Sequence, residues 1–112
     1  MTDVSDLVHE ARRLSSLIDA GVKALHESAR SLADAEHAYR RAKAEAWVMV
    51  KGELAKDREA QVDAAVADLR RERDLCEGQR LAALEALRSR RTQLSALQSI
   101  LAATRSEIEL AR

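Results

Sequence analysis

Three histidines, one cysteine and a late run of arginines are the side chains with chemistry to offer in this 112-residue chain. His9, His26 and His37 are scattered, and Asp34 with His37 is a carboxylate–histidine pair at the three-residue spacing that metal sites in helical bundles use. Those sites need matching elements on further helices, and no histidine follows His37. Cys76 has no second cysteine to pair with, so a disulfide framework is excluded and the thiol is expected to pack as a small, weakly polar core group. If exposed, it would be open to interchain disulfide formation. No phosphate-cradling glycine loop, Cys-x-x-Cys pair or nucleophile elbow occurs. The sequence therefore predicts no enzyme, no cofactor and no metal.

The arginines offer more. From Arg80 to Arg105 the charged residues are Arg80, Arg88, Arg90, Arg91 and Arg105 against the single acid Glu85, whereas residues 1–38 hold seven acids and four bases. If the two regions lie side by side, their charges are expected to pair across the interface. The alternative is that these five arginines contact phosphates, in a nucleic-acid-binding accessory factor of replication or recombination. Zero net charge and the lack of aromatic platforms weigh against it. Arg73, Arg80 and Arg90 fall on an apolar seam, from which their stems can reach solvent or fix register against Glu36 or Glu27.

The elements that position these groups are helices. Proline is absent, glycine occurs three times, alanine 22 times, and charged residues make up 34% of the chain, the composition of a coiled coil. A series with alternating steps of four and three runs Leu7, Ala11, Leu14, Ile18, Gly21, Leu25, Ala29, Leu32, Glu36, Tyr39, Lys43, Ala46, Val50. A second runs Val62, Val66, Leu69, Arg73, Cys76, Arg80, Ala83, Leu87, Arg90, Leu94, Leu97, Leu101, Thr104, Ile108. Between them, Gly52 can close one helix and Asp57 can cap the next. The spacing predicts one all-α domain over residues 1–112. It is an antiparallel, coiled-coil-like hairpin with helix one at about 4–50, a turn at about 51–56 and helix two at about 57–110. A continuous rod is the competing arrangement.

With the turn near residue 53, facing residue numbers add to about 107. Leu14 then meets Leu94, Ile18 meets Leu87, Leu25 meets Leu81 and Leu32 meets Leu75. Nearer the turn, Ala35, Ala38, Ala42 and Ala46 face Ala60, Ala64, Ala65 and Ala67. The leucine-rich end is wider than one seam requires. Leu14, Leu17, Ile18, Leu94, Leu97, Ile100 and Leu101 are expected to mediate self-association, most simply as an antiparallel dimer forming a four-helix bundle. Trp47 is expected to seal the closed end. Otherwise Trp47, Met49 and Val50 form a docking tip for an unidentified protein partner.

The early acids and the absence of any run of about 20 apolar residues predict a soluble cytoplasmic chain without membrane partners. Several segments add a setting: Ala35-Glu36-His37-Ala38-Tyr39-Arg40-Arg41-Ala42, Asp57-Arg58-Glu59-Ala60-Gln61, Ala67-Asp68-Leu69-Arg70-Arg71-Glu72, Leu84 to Arg91, and Ala102-Ala103-Thr104-Arg105-Ser106-Glu107. Over residues 33–108 the chain resembles short uncharacterised helical proteins of actinobacterial tailed phages. The resemblance implies an accessory factor in a host-cell cytoplasm. The expectation is thus a non-enzymatic, oligomerising coiled-coil protein acting as a protein–protein interaction module.

Overall fold

The computed structural model describes residues 3–111, which form three helices and no strand: α1 (Val4–Met49), α2 (Ala55–Ala65) and α3 (Ala67–Leu110). The chain is all-α, and α1 pairs antiparallel with the α2–α3 arm as a coiled-coil-like hairpin. Asp6, in the first turn of α1, suits the positive end of the helix dipole. Side-chain burial follows the two heptad series closely. Every member of the first except Ala29, and every member of the second except Ile108, is buried or half-buried.

The second arm is not one helix. Val66 leaves helical geometry, with φ −109° and ψ 8°, although its N–H still reaches the Val62 carbonyl at 3.1 Å. The distortion coincides with the two most enclosed side chains, Val62 and Val66, each 1% exposed. α2 is nearly without amphipathic asymmetry, so these valines are its anchor.

The turn also differs from expectation. It spans residues 50–54, and Leu54, without a side-chain cap, precedes α2 in place of Asp57. The turn's polar groups are served from α2 instead. Gln61 Nε2 donates to the Lys51 carbonyl at 2.7 Å while its Oε1 accepts from the Lys51 N–H at 3.4 Å, and Arg58 donates to the carbonyl of Gly52 at 2.9 Å. Gly52 has φ +138°, which side-chain-bearing residues rarely adopt. Because Gln61 lies level with Lys51, the chain reversal consumes more of α2 than a turn at 51–56 would.

That shifts the register. Observed facing pairs are Gly21 with Leu87 and Tyr39 with Arg70, one or two residues beyond the expected sum. Leu75 and Leu81 are about half exposed, flanking the seam without filling it opposite Leu32 and Leu25. The expected alanine-to-alanine approach is also absent: Ala60, Ala64, Ala65 and Ala67 are exposed, and the buried residues there are Val62 and Val66.

The molecule divides into two compact units. One joins the chain up to Leu25 to the chain from Ala83 onward, with Leu14 and Leu87 buried at its centre. The other runs from His26 to Ala82 and is centred on Tyr39, Val62, Val66 and Cys76.

Candidate functional site

In the unit His26–Ala82, α1 and α3 meet around a phenol. Tyr39 is buried, and its hydroxyl accepts from Arg70 Nη2 at 3.2 Å. The Arg73 guanidinium lies 4.4 Å from the ring centroid, with Arg70 and the Lys43 ammonium each at 5.7 Å. Asp63 on α2 binds Arg70 at 3.0 Å, and Asp74 binds Arg73 at 3.0 Å. The Arg70 hydrogen bond holds the Tyr39 pKa below the usual phenol value, with the charges of Arg70 and Lys43 adding to the effect. Two carboxylates thus occupy the arginines, and the cluster works as a clamp between α1, α2 and α3.

Cys76 is free and buried on the seam, as its heptad position requires. Desolvation is the larger cause raising its pKa, and the nearby Glu72 carboxylate, 3.7 Å away, adds to it. The three histidines are exposed, and no group of three or more potential metal ligands forms among the described residues.

The tip carries the largest departure from expectation. Trp47 is 42% exposed and Met49 77% exposed, while Val50 is half-buried. Trp47 does not seal the closed end, because it stands one residue, roughly 100°, round the helix from the seam residue Ala46. It partly lines a shallow depression with Lys43, Glu59, Val62 and Asp63.

The arginines do not pair across the hairpin. Among the described residues the ion pairs are Arg13–Glu10, Arg41–Glu45 and Arg88–Glu85 along single helices, Arg73 with its neighbour Asp74, and Arg70–Asp63 between α3 and α2. None joins α1 to α3. Of the five expected stripe residues, only Arg88 has an ion-pair partner among the described residues. Arg91 and Arg105 are exposed, and Arg80 and Arg90 are half-buried. Arg90 lies along the seam beside Gly21.

The unit built from the chain up to Leu25 and from Ala83 onward has a groove of about 600 Å³ between α1 and α3. Val8, Ala11, Leu94 and Leu101 floor it, and Arg12 and Arg105 stand at its rim. Of the expected self-association residues, Leu14 is consumed by the hairpin seam, Leu17, Ile18, Leu94, Leu97 and Leu101 are half-buried, and Ile100 stays 50% exposed. Sequence reasoning missed Arg12 and Arg70. Arg12 lies in the net-acidic first third of the chain, and Arg70 meets Tyr39 only in the shifted register. No helix of the described residues is long and apolar enough to cross a membrane. No family model, curated protein or solved structure matches the chain.

Proposed function

We propose that this chain is a non-enzymatic, self-associating helical hairpin that serves as a protein–protein interaction module. The observation that carries the proposal is surface. The chain exposes 8508 Å², whereas a folded monomer of 12.4 kDa exposes roughly 6100 Å². The excess of roughly 2400 Å² is about three times one partner's share of a standard protein interface. Part of it is the flank of a leucine-rich seam, where Ile100 and Ile108 stay about half exposed. Among the described residues only six hydrophobic side chains are buried, a thin core for so much ordered backbone. Assembly with other copies would enclose the flanks. Light scattering at micromolar concentration tests this, with a multiple of 12.4 kDa expected and a stable monomer overturning it.

A second reading is favoured by the arginine stripe, in which only Arg88 has an ion-pair partner among the described residues: Arg80, Arg88, Arg90, Arg91 and Arg105 contact the phosphates of a nucleic acid. Affinity for DNA would then fall steeply with salt and drop further on Arg88→Glu with Arg91→Glu. Absence of binding at low salt would end that reading. The setting, an accessory factor of a tailed phage, rests on the resemblance of residues 33–108 alone.

A further inference from the structure

We infer that copies of this chain associate face to back, the arginine-rimmed groove of one receiving the acidic flank of the next. This rests on the self-association proposed above and specifies its geometry. The unit carrying the groove has two unlike sides. An α-helix turns by roughly 100° per residue, so residues of α1 and α3 sort to one side of the seam or the other. On the groove side Arg12 and Arg105 flank Val8, Leu94 and Leu101. Asp19 and Glu109 lie further along that side and do not line the groove. The helical period puts Asp6 and half-buried Leu17 of α1, with Ile100 and Glu107 of α3, on the opposite side. There Glu10 is neutralised by Arg13, while Asp6 and Glu107 have no ion-pair partner among the described residues.

This sidedness explains why Asp6 does not pair with Arg105 within the hairpin: the two flank opposite sides of one seam. It also selects the symmetry. Groove against groove would set arginines against arginines, and flank against flank would set carboxylates against carboxylates. Only the unlike pairing brings Asp6 and Glu107 of one copy to Arg12 and Arg105 of another, with Leu17 and Ile100 over the apolar floor. An unlike contact leaves a free side at each end, so growth continues beyond two copies or closes as a ring. The excess surface of roughly 2400 Å² suffices for two standard contacts per copy.

The test uses the full chain and two charge reversals at exposed positions, Arg12→Glu with Arg105→Glu, and Asp6→Arg with Glu107→Arg, with helix content checked by circular dichroism. The wild-type chain should form species of three or more copies by light scattering. Each double variant should need at least tenfold higher concentration to associate, and an equimolar mixture of the two should recover the wild-type masses. A closed dimer indifferent to these charges would overturn the face-to-back geometry while leaving self-association standing. A wild-type monomer would overturn both.

Discussion

The guanidinium of Arg73 stacks 4.4 Å from the centroid of the Tyr39 ring, joining α3 to α1 through a cation–π contact at a seam position. Arg70 completes the arrangement by donating to the phenol oxygen. A buried phenol needs such a partner, because an unmade hydrogen bond in an enclosed site is costly. Tyr39→Phe should lower the thermal midpoint modestly by orphaning Arg70 from the ring. Tyr39→Leu should lower it further, since it also removes the face over which Arg73 lies. Equal losses in thermal melts of the two variants would show that the ring contributes nothing beyond bulk.

That clamp marks what the sequence conveys and what it does not. The heptad series identifies the seam almost residue by residue, including polar members such as Arg73 and Lys43, because burial on a helix follows its period. Register is a different quantity. It depends on how much chain the reversal consumes, and this is set by Gln61 gripping Lys51, a pairing without a periodic signal. Arg73, expected to reach solvent or a carboxylate on α1, instead lies over the ring of Tyr39. The separation of acidic and basic flanks was hidden for a related reason. Summed charge along a segment is blind to which side of the seam each residue takes.

The turn gives a second prediction. Gln61 makes both of its amide hydrogen bonds to a single residue, Lys51, on the end of the opposite arm. Gln61→Ala should destabilise the hairpin by about 1 kcal/mol, the net worth of a pair of partly exposed hydrogen bonds. Gln61→Glu should cost more than Gln61→Leu, since a carboxylate cannot donate to the Lys51 carbonyl and would face it. Urea unfolding midpoints check both orders.

Alkaline pH should separate Cys76 from Tyr39. Burial and Glu72 raise the thiol pKa in the folded chain, so the unfolded chain loses its proton first, and this contribution to stability, complete below about pH 8.5, is lost as pH rises through the folded value. The Tyr39 shift has the opposite sign. The folded phenol ionises below its unfolded value of about 10, so stability is gained as pH climbs between the two. Relative to wild type, Cys76→Ala should therefore improve as pH rises above about 8.5. Tyr39→Phe should worsen toward pH 10. Denaturation midpoints measured from pH 7 to 10.5 would show the two difference curves diverging, and parallel curves would contradict the assignment.

Two helical glycines should respond to substitution in opposite directions, for reasons of space alone. At Gly78 an added methyl meets nothing within 4 Å, so Gly78→Ala should stabilise the chain by about 0.5–1 kcal/mol through helix propensity and a less disordered unfolded state. At Gly21 a Cβ would stand 3.3 Å from Leu87 Cδ1, one of the few enclosed side chains in its unit. Gly21→Leu should therefore destabilise by about 1–3 kcal/mol through overpacking. Leu87→Ala should cost at least about 2 kcal/mol through the cavity it leaves. The double variant transfers the large side chain from α3 to α1 across the same point of the seam. Its loss should be smaller than the sum of the two single losses by at least about 1 kcal/mol, the sign of direct contact in a double-mutant cycle. Strict additivity in urea unfolding would mean that Gly21 and Leu87 do not face each other and that the register near 108 is wrong.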